Sequence, residues 1–345
     1  MTMTTLDPHQ LTQRAQTVLH RTRQICTPVL RETVGTLRDP LRRMAGYHFG
    51  WWDEHGNPIT EESGKALRAA LTLTTAAACG STGDISVPAA AAMELIHNFT
   101  LVHDDVMDGD HLRRGRATVW AVWGVSDAIL LGDVLHSLAF HTASTNLTPT
   151  VAAAATTRLA AASVKVCHGQ QQDCAFETRT QVSIDDYLTM AADKTGALIG
   201  CATGLGALCA GAGEDTVAAF ETFGLHLGLA FQCIDDIIGI WGDPAITGKP
   251  TGRDLVRRKR TLPVIAAMNS NTPAGDSLAE LYQSPHPMTP AEVTAATDLV
   301  VAAGGRHTAD EYAHQCITTA LTALPADLRT PDLRALAHLV THRTH

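Results

Sequence analysis

The segment PAAAAMELIHNFTLVHDDVMD, residues 88–108, decides the fold class of this chain. Its apolar residues recur at intervals of three and four, which is the spacing of one face of an α-helix. Segments of the same kind fill most of the chain, and the alternating pattern of strands is scarce. The sequence therefore predicts an all-α fold. The predicted helices span residues 8–34, 64–79, 88–108, 126–144, 149–179, 184–210 and 216–242, with more from residue 262 onward.

Several of these helices are about twenty residues or longer, which suits a large helical bundle with a central active-site cavity for a long ligand. No fixed-period repeat and no low-complexity linker divides the chain, so we expect a single domain over residues 1–345. The sequence contains no GxGxxG, HExxH or GxSxG motif. Nucleotide-cofactor, zinc-peptidase and α/β-hydrolase functions therefore lose their usual support.

The composition narrows the function further. The 345 residues carry a formal net charge of -9 and are 45% apolar, which is enough to bury a core. The acidic balance argues against nucleic acid or an anionic membrane as a partner. Eight cysteines without a CxxC pair, and no signal peptide, favour free thiols in the cytoplasm. The apolar stretch 196–213 consists of small residues and is predicted to be an interior helix, not an integral membrane segment.

An acidic cluster ends the deciding segment, within LVHDDVMDGDHLRRGR at residues 101–116. On a helix, Asp104 and Asp108 lie on one face, with Asp105 beside them. Carboxylates stacked in this way repel one another unless a cation is present, and a ligand set made only of oxygens favours Mg²⁺ over Zn²⁺. A solvated acidic helix end is the alternative.

A second acidic pair, Asp235 and Asp236, lies about 130 residues further on, between apolar residues of a predicted helix. Charged residues placed in this way are rarely buried without partners. The two acidic helices could face each other across the bundle, each holding Mg²⁺ while the oxygens of a phosphate or diphosphate complete the shell.

Basic residues follow both acidic clusters, although the chain as a whole is acidic. They can bind the same anion, and a solvated face is the alternative for those near residue 258. Lys249, which lies beside glycine in a loop, is expected to act as a lid over the anion. The residues concerned are Arg113, Arg114, Lys249, Arg253, Arg257, Arg258, Lys259 and Arg260.

Eight motifs in register over residues 64–263 resemble those of the trans-isoprenyl diphosphate synthases, the polyprenyl synthetase family. The resemblance implies an all-α bundle, usually a homodimer, that joins isopentenyl diphosphate to an allylic diphosphate head to tail with the help of three Mg²⁺ ions. The motifs are SGKALRAAL (63–71), IHNFTLVHDDVMD (96–108), RRG (113–115), GQQQD (169–173), KTGAL (194–198), FQCIDD (231–236), GK (248–249) and KRTLP (259–263).

The resemblance also implies roles for individual side chains. Mg²⁺ on the allylic diphosphate would be held by Asp104, Asp108 and Asp235, with support from Asp105 and Asp236. Positive charge around that diphosphate would come from Arg113, Lys194, Lys249 and Lys259. Isopentenyl diphosphate would contact Lys65, Arg68, His97 and Arg114. The reacting carbons would face Thr195 and Gln232.

The chemistry explains these residue types. Breaking an allylic carbon–oxygen bond leaves a diphosphate anion and a carbocation, so cations must stabilise the anion while hydroxyl and amide dipoles stabilise the carbocation. The departing diphosphate is the expected base for the final proton, because no catalytic histidine or glutamate stands out. For His103, orienting a carboxylate and acting directly both stay open. For His97, a satisfied core histidine is the alternative to contact with isopentenyl diphosphate.

Phe99 lies five residues before Asp104, about 7.5 Å deeper along the helix at ~1.5 Å per residue. We expect its ring to form a floor under the growing chain. In the resembling family, an aromatic residue here together with the short DDxxD spacing implies a geranylgeranyl (C20) product. A farnesyl (C15) product and ordinary core packing of Phe99 are the alternatives.

Three positions depart from the family pattern: Gly239 replaces a third aspartate of the second acidic motif, and Ala66 and Ala69 replace the first arginine and the proline of the GKRxRP segment. We expect activity to survive with weaker affinity for isopentenyl diphosphate or for the third metal. A class I terpene cyclase and a non-catalytic subunit of another synthase are the rival hypotheses. The retained residues for isopentenyl diphosphate argue against the first, and the intact first acidic motif argues against the second.

Overall fold

The structure is a computed structural model that describes residues 7–59, 64–82, 84–243, 251–284, 286 and 288–341. Helices dominate these ranges, so the all-α prediction is confirmed. Lys249 and most of its predicted lid lie outside the described residues. The helices are α1 Pro8–Gly35, α2 Leu41–His48, α3 Leu67–Ala78, α4 Val87–Met107, α5 Val119–Trp123, α6 Val125–Asn146, α7 Pro149–Phe176, α8 Ile184–Ala191, α9 Ala197–Cys209, α10 Glu214–Trp241, α11 Arg253–Val256, α12 Leu262–Met268, α13 Pro273–Gln283, α14 Pro290–Ala302, α15 Gly305–Ala323 and α16 Pro331–Thr341.

The predicted helix ends agree with the structure to within a few residues. The structure adds short helices that were not predicted, α2, α5 and α11, and it differs in two further ways. The segment predicted as one helix over 184–210 is divided by a π-helical turn, Ala192–Gly196, between α8 and α9. An antiparallel hairpin of two short strands, β1 Leu112–Arg113 and β2 Arg116–Ala117, follows α4 and was not predicted. The π-helical turn contains Lys194 and Thr195, and the hairpin contains Arg113. Irregular turns of this kind change the direction of side chains locally and are frequent at functional sites.

The chain divides into two compact units, and the first comprises Met1–Ser163, Cys201–Glu221 and Pro325–Leu336. Its central element is α4, which packs against α1, α3 and α6. All residues of α4 from Ala89 to Ile96 are buried. The alanines in this stretch allow the neighbouring helices to approach closely, and this packing fixes the acidic end of α4.

The second unit comprises Val164–Gly200, Thr222–Leu324 and Ala337–His345. A cluster of buried apolar side chains joins the end of α7, α8, α10, α12 and α15. Helix α8 begins with a capping box in which Ser183 accepts from the Asp186 N–H and Asp186 accepts from the Ser183 N–H. The prediction of a single domain over residues 1–345 stays a prediction.

Two helices of the described chain, Asp84–Met107 and Glu214–Trp241, are long and apolar enough to cross a membrane by length and composition. In the first of them, 67% of the apolar window is buried inside the protein. A buried core helix passes the same test, so this is weak evidence for a membrane span.

Candidate active site

The first acidic motif forms the C-terminal end of α4. Asp104 and Asp108 are half-buried, whereas Asp105 is buried with 2% of its surface exposed. Asp108 ends the helix, its N–H donating to the Asp104 carbonyl at 2.8 Å. Gly109 then takes a left-handed φ of 63°, which turns the chain toward the β1–β2 hairpin.

The hairpin returns Arg113 to the acidic motif. Its guanidinium donates to Oδ1 of Asp105 at 2.7 Å. Burial raises the pKa of Asp105 to about 6, although the Arg113 charge opposes that rise. Asp105 therefore holds Arg113 in place, and the supporting role in metal binding predicted for Asp105 stays a prediction.

The neighbouring Arg114 has a left-handed φ of 53° and packs against Gly64. A Cβ at Gly64 would lie 2.8 Å from Nη2 of Arg114, so a larger residue would displace the guanidinium. Arg113, Arg114 and Arg116 line one cavity together with Asp105 and His48. The RRG motif therefore concentrates positive charge beside the end of α4.

Ala66 and Ala69 depart from the GKRxRP pattern near the start of α3, and the structure explains the second of them. Ala66 adopts a left-handed φ of 51° just before α3 begins. The Ala69 N–H donates to Oε1 of buried Glu94 at 3.0 Å, a bond that proline could not make because it has no N–H. Burial raises the pKa of Glu94, while that N–H and the charges of Arg68 and Arg114 oppose the rise.

His97 lies on α4 one turn after Glu94. Burial and the positive charges of Arg68, Arg114 and Arg113 lower its pKa far below the ordinary value, so the ring is neutral. Nδ1 of His97 is buried and has no hydrogen-bond partner in the described part of the chain. An unpartnered buried polar atom beside arginines is typical of a ligand site, whereas a satisfied core histidine would have a partner.

The ring of His103 contacts helix α6. Its Nε2 lies 3.0 Å from the carbonyl oxygen of Ile129 on α6 and 3.9 Å from Asp133. Gly132 makes room for the ring, since a Cβ there would lie 2.1 Å from Nε2. Among the two open roles for His103, this contact favours neither, and the ring instead joins α4 to α6.

The ring of Phe99 contacts two histidines. Its centroid lies 4.9 Å from that of His103 and 4.9 Å from that of His136, and His136 lies 4.8 Å from Phe140. Phe99 was predicted from the sequence, whereas His136 and Phe140 were not, because they lie on α6, where no motif marks them. Together they form an aromatic layer one to two turns before Asp104 on α4.

In the second unit, Lys194 lies within the π-turn and forms a close ion pair with Asp173. Lys259 lies 3.6 Å from the same carboxylate. Burial alone would raise the pKa of Asp173, but the Lys259 and Lys194 charges outweigh burial and lower it. Asp173 belongs to the GQQQD motif but had no predicted role, although an acidic residue in a family motif was a usable signal.

Glycines bring the π-turn close to its neighbours. A Cβ at Gly169 of α7 would lie 2.2 Å from the backbone nitrogen of Lys194. A Cβ at Gly228 of α10 would lie 2.6 Å from Cα of Gly196. These contacts are backbone to backbone, so only glycine allows Lys194 and Thr195 to occupy their positions.

A chain of hydrogen bonds connects Thr195 to the second acidic motif. The Thr195 hydroxyl donates to Oε1 of Gln232 at 2.8 Å, and Nε2 of Gln232 donates to Oδ1 of Asp236 at 2.9 Å. Asp236 also accepts from the Tyr187 hydroxyl at 2.6 Å and the Leu262 N–H at 2.9 Å. Burial raises the pKa of Asp236 to about 7, with these last two donors opposing.

The two aspartates of the second motif therefore differ in their surroundings. Asp235 is exposed, whereas Asp236 is 4% exposed and accepts three hydrogen bonds from protein donors. Within the described ranges, no group of three or more His, Cys, Asp or Glu side chains is placed to hold a metal alone. Carboxylate oxygens in ones and twos fit Mg²⁺, which keeps open positions for substrate oxygens and water.

Comparison with known proteins places these features in context. Residues 50–300 match the family model described as Polyprenyl synthetase. The chain is 53% identical over 326 residues to a geranylgeranyl diphosphate synthase of Mycobacterium tuberculosis, covering 94% of this chain and 93% of that protein. It is 40% identical over 345 residues to a (2E,6E)-farnesyl diphosphate synthase of Mycobacterium bovis, covering 98% of this chain and 96% of that protein.

Solved structures share the fold. A polyprenyl synthetase from Streptomyces coelicolor A3(2) superposes with a TM-score of 0.89 at 43% identity, covering 94% of this chain and 98% of that one. A polyprenyl synthase from Caulobacter crescentus CB15, complexed with calcium and isoprenyl diphosphate, has a TM-score of 0.81 at 27% identity. The match covers 99% of this chain and 100% of that one.

Proposed function

The chain belongs to the polyprenyl synthetase family and is a trans-prenyltransferase, and we propose that it condenses isopentenyl diphosphate with an allylic diphosphate to give mainly geranylgeranyl diphosphate. The observation that carries the C20 product is the aromatic layer around Phe99, whose ring lies against His136 on α6. The 53% identity to a geranylgeranyl diphosphate synthase supports the same product.

Metal binding is proposed at Asp104 and Asp108 of the first motif and at Asp235 of the second. These carboxylates are half-buried or exposed, so a diphosphate and water can complete the metal shell. Bound Mg²⁺, three ions in the family pattern, would neutralise the diphosphate as it leaves. A divalent cation together with isoprenyl diphosphate in the Caulobacter synthase supports this proposal.

The leaving diphosphate also needs fixed positive charge. Arg113, positioned by Asp105, and the pair Lys194 and Lys259, positioned by Asp173, are proposed to supply it. A diphosphate bound to the two lysines would join the Asp173 carboxylate as a second negatively charged partner of both ammonium groups. Lys249, which lies outside the described residues, is proposed to add a further positive charge.

The second substrate is proposed to bind in the first unit. Arg68, Arg114 and Lys65 would hold the diphosphate of isopentenyl diphosphate, and Nδ1 of His97 would contact it. The buried, unpartnered state of that nitrogen supports the proposal. The neutral ring keeps positive charge away from the carbon skeleton that becomes a cation.

Two dipoles are proposed to face the carbocation: the Thr195 hydroxyl and the Gln232 amide. Their mutual hydrogen bond and the bond from Gln232 to Asp236 fix the Gln232 oxygen, so it need not reorganise during the reaction. Further amide oxygens, those of Gln170 and Gln172, are buried without a hydrogen-bond partner in the described residues. They are candidates for the same role.

A homodimer is proposed from an exposed apolar face on α5 and α6. Between 38% and 54% of the surface of each of these residues is exposed. An exposed patch of apolar side chains is typical of a surface that binds another protein. The patch comprises Val122, Val125, Ile129 and Leu130. A cytoplasmic location is proposed because all eight cysteines are free thiols, which a reducing compartment preserves.

The alternative products and functions remain testable beside this one. The 40% identity to a farnesyl diphosphate synthase favours C15 as the second candidate. A class I cyclase has no need of a second diphosphate site, and a non-catalytic subunit has no need of the intact first acidic motif.

The deciding experiment incubates the purified chain with Mg²⁺, isopentenyl diphosphate and, separately, dimethylallyl, geranyl and farnesyl diphosphates. We expect a dominant C20 alcohol after dephosphorylation, and none with Asp104→Asn or with chelator. A dominant C15 alcohol would instead identify the chain as a farnesyl diphosphate synthase. Release of diphosphate without consumption of isopentenyl diphosphate would favour the cyclase, and no turnover at all would favour the non-catalytic subunit.

A further inference from the structure

A cavity outside the predicted active site lies between α1, α2 and the segment that follows α2. Its volume is about 530 Å³, which is within the range of cavities that hold small ligands. Its lining residues differ from those of the cavity around Asp105 and the RRG hairpin, and they had no predicted role. Its carboxylate, guanidinium and indole groups belong to Asp39, Arg31, Arg42, Arg43, Trp51 and Trp52.

The two tryptophans form a rigid wall of this cavity. Trp51 is buried, and its ring stacks on Phe49 with 4.8 Å between centroids and 12° between ring planes. The Trp52 ring packs on α2 because Gly46 has no side chain: a Cβ there would lie 1.9 Å from Cζ2 of the ring. Nε1 of Trp52 donates to the carbonyl of Arg43 at 2.8 Å. The half-buried Trp52 therefore offers apolar surface that is already in place before a ligand binds.

Positive charge dominates the same cavity, although the whole chain has a net charge of -9. Three arginines line it against one acidic residue, Asp39, which holds Arg42 at 2.9 Å. The guanidinium of Arg31 lies 4.8 Å from the centroid of the Trp51 ring and forms no ion pair with an acidic residue of the described ranges. Guanidinium groups beside apolar aromatic surface suit an organic phosphate, because they bind its phosphate while the indole packs on its body.

The segment that carries the tryptophans also contacts the RRG hairpin. The guanidinium of Arg116 donates to the carbonyl of Tyr47 at 3.0 Å and to the carbonyl of Trp52 at 3.1 Å. The Tyr47 hydroxyl donates to the carbonyl of Ala117 at 2.8 Å. Trp52 thus lines one cavity with its side chain, while its backbone is bonded to the hairpin that presents Arg114 to the other. A ligand that displaces Trp52 would therefore act on Arg114.

We propose that this cavity is a regulatory site for an organic phosphate. Arg31 and Arg43 bind the phosphate, and Trp52 packs against the apolar or aromatic body of the ligand. Occupancy changes the affinity for isopentenyl diphosphate through Arg116 and the hairpin. The binding step goes beyond the proposed function, whereas the regulatory step rests on it. A nucleotide and a prenyl phosphate share the required chemistry, and they differ in whether a planar base or an isoprenoid chain lies on the indole.

Isothermal titration calorimetry of the full chain tests the binding step. The probes are adenosine diphosphate and, in a separate titration, geranyl monophosphate, both with chelator so that metal-dependent binding is suppressed. We expect one probe to bind, and we expect Arg31→Gln with Arg43→Gln to weaken that binding about tenfold. Both arginines are exposed, so thermal stability should stay at the parental value.

The matched control replaces two exposed arginines of the same unit that do not line the cavity, Arg21→Gln with Arg329→Gln. It makes the same charge change and should leave the affinity for the probe unchanged. If neither probe binds, the proposal is wrong. Equal affinity in the parent and in Arg31→Gln with Arg43→Gln would place the probe at another site and would also overturn it. The probe that binds identifies the source, a nucleotide or a prenyl phosphate.

The regulatory step is measured without turnover. The affinity for isopentenyl diphosphate is determined with and without a saturating concentration of the bound probe. We expect it to change about fivefold in the parent and to stay constant in Arg31→Gln with Arg43→Gln. An unchanged affinity in the parent would overturn the regulatory role.

These outcomes are separate from those of the proposed function. A parent chain that neither binds nor consumes isopentenyl diphosphate would overturn the synthase function, while the titrations with the two probes still test the cavity. An active synthase that binds neither probe would overturn this inference alone.

Discussion

The Asp105 carboxylate accepts a 2.7 Å hydrogen bond from the guanidinium of Arg113, which lies eight residues further along the chain and beyond a left-handed turn. The carboxylate is buried, whereas its neighbours Asp104 and Asp108 are half-buried. Adjacent aspartates of one motif thus meet different surroundings. One is enclosed with an arginine, and the other two stay accessible to a cation.

This pair predicts coupled losses of activity. Asp105→Asn should lower kcat/KM for the allylic substrate about 10- to 100-fold, because Arg113 loses a charge-assisted hydrogen bond. The double variant Asp105→Asn with Arg113→Gln should have a kcat/KM only slightly lower than that of Asp105→Asn alone. Asp127→Asn, in the first turn of α6, is the uncoupled control in the same double-mutant cycle. If the losses from Asp105→Asn and Arg113→Gln simply multiply, Asp105 does not act through Arg113.

The buried Asp236 predicts a pH-dependent stability. Its pKa of about 7 lies above the ordinary 3.8, so between these values the folded chain binds a proton that the unfolded chain has lost. That contribution is fully present below about pH 4 and is lost as the pH rises through 7. Urea unfolding of the parent and Asp236→Asn should show a stability difference that falls by about 2–3 kcal/mol between pH 5 and 8. A constant difference would mean that Asp236 ionises normally in the folded chain.

The contact of Gly169 with the π-turn predicts a strong steric effect. Gly169→Ala places a methyl group 2.2 Å from the Lys194 backbone nitrogen, and backbone cannot rotate away. We expect unfolding free energy to fall by about 1–3 kcal/mol, and kcat to fall as Lys194 shifts. Gly35→Ala, which has no neighbour within 4 Å, is the matched control and should change stability little. Chemical denaturation measures the unfolding free energy of both variants, and steady-state kinetics measures their kcat. Equal values for Gly169→Ala and Gly35→Ala would contradict the prediction.

The aromatic layer predicts control of product length. Phe99→Ala removes the ring that contacts His103 and His136, so the product should shift from C20 to longer chains. Chromatography of the dephosphorylated alcohols measures this shift. Phe220→Leu, a buried aromatic change on α10, should lower stability without changing the product length. Unchanged chain length in Phe99→Ala would mean that the floor lies elsewhere.

Several properties follow from local sequence alone. Helical spacing over residues 88–108 predicted α4, and the i, i+4 interval predicted that Asp104 and Asp108 share a face. Both depend only on residues within a few turns of each other. The family motifs likewise marked Lys194, Gln232 and Asp235, because each motif is a short run of residue types.

Other properties were decided by tertiary structure, because they depend on burial and on partners from distant segments. Asp105 and Asp236 look like their neighbours in sequence, yet both are enclosed by protein donors. Asp173 joins Lys194 and Lys259, which lie 21 and 86 residues away. The sequence has glycine at position 239, and only the fold shows that the Asp254 carboxylate occupies the space beside it. Periodicity determines which face a side chain is on, whereas the packing of remote segments determines its charge and its partner.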